Sequence, residues 1–239
     1  MRNTMLIAMK EFRSYLTSPM AYIVTGIFLV LNGALFIWYL NSTQYSDTSL
    51  SGYLGLWGNI VLMLFAAVLA MRLIAEEKKL GTWELLLTAP VRDTEVVLGK
   101  FLGSLGILAA MLALTLYFPI LLIWFGDPDV GPIVTGYIGL VLLGSASLSI
   151  GLFASSLTSN QIVAAVFAGG ILVTLYFIGM AGDAISGAMG DVLSYISLSS
   201  NFPAFMRGII DTQAIVYYLS VTALFLFLAV RSLETGRWS

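Results

Sequence analysis

Six long apolar stretches dominate the chain: about Met20–Leu40, Tyr53–Leu73, Leu98–Phe125, Ile133–Phe153, Ile162–Gly182 and Ala214–Val230. A helix needs roughly 20 apolar residues to cross the hydrocarbon core of a bilayer, and each stretch is near that length or longer. Six such helices with short loops fill the 239 residues, so no soluble catalytic domain is expected. Composition agrees. Charged residues make up 10% of the chain and its mean hydropathy is +0.95, whereas a soluble domain carries about 25% charged residues. A net charge of -2 offers no nucleic-acid surface. With no Cys, disulfides, thiolate chemistry and iron–sulfur ligation are excluded, and with no His the commonest metal ligand and general base is missing.

Before the first stretch, Met5, Leu6, Met9, Phe12 and Leu16 recur at helical spacing, opposite Asn3, Lys10, Glu11, Arg13 and Ser14. That pattern predicts an amphipathic helix lying in the membrane interface over residues 1–19, stopped before Pro19. Lys10, Glu11 and Arg13 interrupt anything like the apolar core of a cleavable signal peptide. Loop charge sets the orientation. Six spans place both ends of the chain on one side, with Arg2, Lys10, Arg13, Arg72, Lys78, Lys79, Arg92, Lys100, Arg231 and Arg237. Only Arg207 falls on the other side, among Asp47, Asp127, Asp129, Asp183, Asp191 and Asp211. Both termini are therefore expected in the cytoplasm.

No proposed span carries an Asp, Glu, Lys or Arg near its middle. Ionisable groups at membrane depth mark proton relays and ion pathways, so a proton-driven pump and an intramembrane protease are both disfavoured. Small residues recur four apart at Gly99 and Gly103, at Gly106 and Ala110, and at Ser147, Gly151 and Ser155. Such positions let helix backbones approach closely, and helix packing is preferred here to substrate contact. Nothing matches the phosphate-binding pattern G-x-x-x-x-G-K-[ST]. If the chain does work across the membrane, the energy must come from elsewhere.

One segment breaks the apolar pattern. In AEEKKLGTWELLLTAPVRDTEVVLGK, residues 75–100, fall Glu76, Glu77, Lys78, Lys79, Glu84, Arg92, Asp93, Glu95 and Lys100. Gly81 and Thr82 offer a break and a helix cap, and Glu84 suits the first turn that follows. Trp83, Leu86 and Leu87 form an apolar stripe, Pro90 ends it, and Asp93 is placed to cap the next helix. A positive-inside anchor accounts for the lysines but not for the glutamates, the tryptophan and the leucines. The pattern fits a docking helix of about two turns within a cytoplasmic loop over 74–97.

This segment closely resembles the cytoplasmic signature of ABC-2 type permeases, in which an acidic–basic–Gly–Thr–x–Glu–Leu–Leu pattern precedes a proline and ends in Gly-Lys. The resemblance extends along the chain. KEFRSYLTSPMAYI resembles the N-terminal elbow of that family, and IGLFASSLTSNQIVA its turn between spans four and five. The C-terminal third, from SLSSNFPAFMRGIIDTQ onward, is similar to the gliding-motility-associated and nitrous-oxide-cluster branch. This chain has Asn201-Phe202-Pro203 where His-Phe-Glu is common there, and keeps Arg207-Gly208-Ile209-Ile210-Asp211.

The resemblance implies an all-α integral membrane fold and a six-span half of an exporter in the inner membrane. Its partners would be two copies of an ATP-binding subunit, a second permease chain (identical or homologous) associated through the small-residue helix faces, and the lipid bilayer. ATP and Mg would reside in the ATP-binding partner, with no cofactor in this chain. Glu76, Glu77, Lys78, Gly81, Thr82, Trp83, Glu84, Leu86, Leu87 and Pro90 would couple to that partner. Asn201, Phe202, Arg207, Gly208 and Asp211, within an external segment over 183–213, would belong to short helices that close the exit. The other function class is a non-transport membrane subunit of an ATP-driven envelope machine such as gliding motility, which would bring in a partner with a periplasmic domain.

Overall fold

The computed structural model describes residues 2–43, 50–82, 91–126, 128–185 and 187–235. Every regular element among them is helical, and six helices are long and apolar enough to cross a membrane. The all-α membrane architecture expected from the sequence is the one observed.

Helix α1 (Arg2–Thr17) is followed by the first span, α2 (Pro19–Ser42). Ser18 is extended, and Pro19 starts α2 where a missing N–H costs nothing. The second span begins with α3 (Ser51–Tyr53), widens into a π-helix over Leu54–Gly58, and continues as α4 (Asn59–Ala70). After four turn residues comes the short α5 (Ala75–Lys79).

The third span differs from the single helix expected over 98–125. It starts earlier, as α6 (Asp93–Leu114), and breaks at Thr115–Leu116 before α7 (Tyr117–Phe125). Pro119 supplies the reason, because it has no N–H to give the carbonyl of Thr115 four residues earlier. That carbonyl accepts the Phe118 N–H and the Tyr137 hydroxyl instead, each at 3.0 Å. At the start of α6 the cap is Arg92, one residue before the expected Asp93. Glu95 reaches back to accept the Arg92 N–H at 3.1 Å, and this fixes the register.

The fourth span, α8 (Val130–Ser156), is the central post. In its most apolar stretch 78% of residues are buried, against 17% in α2 and 22% in the fifth span, α9 (Gln161–Ala184). Small residues make this possible. A Cβ on Gly151 would stand 2.4 Å from that of Ala70, and one on Gly144 would stand 2.3 Å from Leu108. Beyond α9 lie α10 (Ala188–Ile196) and α11 (Pro203–Met206), then the sixth span, α12 (Thr212–Thr235).

The glycines four apart on α6 do pack a helix, but the partner is α1. A Cβ on Gly99 would meet Ile7 at 2.7 Å and one on Gly103 would meet Glu11 at 2.7 Å, while Gly106 faces Phe12. Ala110, paired with Gly106 in the sequence reading, is exposed. Gly151 packs on α4, and Ser155 bonds the turn after it. Apart from Ala110, these positions are thus filled within one chain, which corrects the expectation that they associate two chains. The reason is geometric: a glycine groove accepts whichever helix the topology brings first, and α1 is already there.

Candidate functional site

The residues singled out by sequence fall at opposite ends of the bundle. At the end where α1 and the close of α12 lie, the turn after α4 is bracketed by Ser155. Its hydroxyl accepts the N–H groups of Ile74 and Ala75 and donates to the Met71 carbonyl at 2.9 Å. Lys78 donates to the Ser156 carbonyl at 2.5 Å, so α5 is pinned to the end of α8. Gly81 then turns the chain with φ +70, a conformation suited to glycine at a helix end. The Thr82 hydroxyl donates back to the Glu77 carbonyl.

Lys100 organises the charge here. Its side chain is only 3% exposed, and its Nζ lies 2.6 Å from Glu11 Oε1 and 2.7 Å from Glu77 Oε1. One ammonium therefore joins α1, α5 and α6. Around it, Arg72 pairs with Glu76 at 3.0 Å and stacks over the Tyr15 ring, 5.3 Å from its centroid. Burial pushes the Tyr15 phenol well above its ordinary range, and Arg72 opposes this only in part. The hydroxyl thus stays protonated and donates to the Leu69 carbonyl at 2.8 Å. Asn3 donates to Glu95 at 3.3 Å, a second tie between α1 and α6. Glu11, Tyr15, Arg72, Glu76, Glu77 and Lys100 help to line a cavity of about 190 Å³.

Glu76, Glu77 and Lys78 are engaged within the chain, with Glu77 turned inward against Lys100. Trp83, Glu84, Leu86, Leu87 and Pro90, the stripe of the expected docking helix, lie outside the described residues. Sequence reasoning missed Glu11 and Lys100, which it took for a polar face and a positive-inside charge. One signal was present: Lys100 sits directly after Gly99, between the two glycines that seat α1. The stripe Met5, Leu6, Met9 and Leu16 does not face the bundle. All four are exposed, while Ala8 and Tyr15 are buried toward the protein.

At the other end, residues 187–211 fold back into the bundle. Phe202 and Phe205 are buried against Gly139 of α8, where a Cβ would come within 3.0 Å of Phe202 and 2.9 Å of Phe205. The Thr135 hydroxyl donates to the Phe205 carbonyl, and Tyr218 donates to that of Leu198 at 2.8 Å. Tyr217 donates to the Ile196 carbonyl, and Ser199 to that of Tyr176 at 2.7 Å. Asn201 donates to the carbonyls of Tyr195 and Ser197, closing the end of α10. Gly208, at φ +79, ends α11, and Asp211 caps α12 by accepting the Gln213 N–H at 2.9 Å. Arg207 is exposed. Of these candidates, Asn201, Gly208 and Asp211 shape backbone, and Phe202 fills the core.

Compared with known families, residues 36–231 match the family model described as ABC-2 family transporter protein. The match takes in only the last part of the first span, from Phe36, with the whole of the second to fifth, α5, the folded-back segment and most of α12. No curated protein matches the chain.

Proposed function

The chain belongs to the ABC-2 transporter family, and from that premise we propose that it is the six-span half of an exporter whose power stroke enters through α5. As a member, it is a multi-pass permease subunit of an ABC transporter and works with an ATP-binding subunit. In this reading two such ATP-binding subunits, holding ATP and Mg, dock on the charged end, which faces the cytoplasm with both termini. A second permease chain, identical or homologous, completes the path, and the folded-back segment over 183–213 covers its outer end.

One observation carries the reading. Residues 74–79 are bonded at once to α1 and α6 through Lys100 and to α8 through Ser155 and Ser156. A push on this segment has no slack to dissipate in. A ligand shifts a conformational equilibrium only through differential interaction with its states, and a rigidly tied docking segment gives an ATP-binding partner that lever. An apolar groove of about 360 Å³ lies between α4 and α9. Ile60, Leu64, Val68, Val166, Val173 and Phe177 help to line it, with no charged side chain among them.

The test is co-purification of the ATP-binding subunit with Trp83→Ala and with Lys79→Ala. A buried aromatic anchor at an interface is worth about 2 kcal/mol or more, and an exposed rim charge much less. Trp83→Ala should therefore lose the subunit or its coupled hydrolysis, while Lys79→Ala keeps both. Full binding and activity in Trp83→Ala would remove the docking role.

A further inference from the structure

Lys100 holds two carboxylates, from Glu11 and Glu77, and is itself almost wholly buried. Arg72 is committed to Glu76 and the Tyr15 ring, and it makes no ion pair with either carboxylate. The second oxygen of Glu77 is buried without a partner. The triad therefore carries two negative charges on one positive, and Lys100 alone keeps the carboxylates together. Packing does not need this arrangement. The glycine groove already seats Ile7, Ala8 and Phe12 against α6 by shape, and buried ionic triads can often be replaced by apolar groups without loss of stability. What an apolar replacement would lack is a tie of fixed length between α5 and the other two helices. Among the described residues, the polar tie from Glu77 to α6 is the one to Lys100, whereas α1 packs on α6 at Gly99, Gly103 and Gly106 and bonds it through Asn3.

We propose that Lys100 is a positioning residue. By gripping Glu11 and Glu77 together it makes α1, α5 and the third span one moving part, so that displacement of the docking segment reaches both the interfacial helix and the membrane interior. The use of that motion rests on the exporter reading above, but the rigid unit itself does not.

The chain has no native cysteine, so spin labels can be placed at Met5→Cys on α1 and Leu80→Cys after α5, both exposed positions. The isolated chain in nanodiscs is compared with Lys100→Arg and with the triple variant Glu11→Gln/Glu77→Gln/Lys100→Met. The triple variant leaves no uncompensated charge and should insert and melt like the parent. The parent and Lys100→Arg should each give one narrow distance distribution. In the triple variant, at unchanged melting temperature, the distribution should broaden about twofold or split. A narrow, unshifted distribution there would overturn the proposal, because a purely structural triad predicts just that.

In the complex with the ATP-binding subunit, a fluorophore at exposed Ile209→Cys reports the far end. Its ATP-dependent change, taken per ATP hydrolysed, should fall about fivefold in the triple variant. An undiminished change would also overturn Lys100 as the link. If the parent complex shows no ATP-dependent change, the exporter reading fails, and the distance measurement still decides the rigid unit.

Discussion

The two ends of the bundle are held by different means. At the charged end one buried ammonium joins three elements, and the two carboxylates it holds lie 89 and 23 positions before it in the chain. At the other end the folded-back segment is held by many small ties. Tyr217, Tyr218, Ser199 and Thr135 each donate to a carbonyl of another element, and Phe202 and Phe205 fill the space beneath. A junction concentrated on one group transmits movement but fails if that group is lost. A junction spread over many bonds stays closed when any one is removed. The first suits a point where force enters, and the second a cover that must remain shut until the whole bundle rearranges.

That contrast should appear most strongly in Lys100→Met. Removing one partner of a buried ion pair costs about 3–5 kcal/mol, and here it leaves two carboxylates facing each other. Thermal unfolding in nanodiscs should show a large destabilisation, mostly recovered when Glu11→Gln and Glu77→Gln are added. A single variant as stable as the parent would end the claim that the junction is concentrated.

Next in size is Gly103→Val. Its new Cβ would lie 2.9 Å from the Ala8 carbonyl oxygen, which is backbone and cannot swing aside, so α1 must move. Overpacking of this kind costs about 1–3 kcal/mol. A label at Met5→Cys should gain mobility as α1 lifts, while one at Ile209→Cys stays unchanged. Equal loosening at both sites would show that the two ends are not separate devices.

The smallest effect belongs to the distributed end. Tyr218→Phe deletes the 2.8 Å bond to the Leu198 carbonyl but keeps the ring. A lost hydrogen bond of this kind is worth about 1 kcal/mol. Proteolysis of the 187–211 segment should barely accelerate. Wholesale opening from this one change would mean that this end too hangs on a single group.

The spans were legible because each is long, apolar and bounded by polar residues or proline, and bilayer thickness leaves few other readings. The glycine stripes were legible as packing surfaces. Their partner was not, since nothing local to Gly99 or Gly103 says that residues 4–12 will arrive there. Lys100 was hidden for the same reason: its carboxylates come from elements distant in sequence, so it read as one more loop cation. The break at Thr115 was half visible in Pro119, while the tyrosine that accommodates it comes from the next span. In the folded-back segment the serines and tyrosines looked like ordinary polar and aromatic residues, because their partners are carbonyls and leave no mark on the sequence.

Site-directed crosslinking in native membranes tests the central claim most directly. A photoreactive maleimide is placed on Leu80→Cys, beside the ion-paired junction, or on Ile209→Cys at the far end; both positions are exposed. If force enters at the charged end, Leu80→Cys will crosslink a protein identified by mass as carrying an ATP-binding phosphate loop, and Ile209→Cys will not. An ATP-binding subunit captured from Ile209→Cys and never from Leu80→Cys would contradict the account.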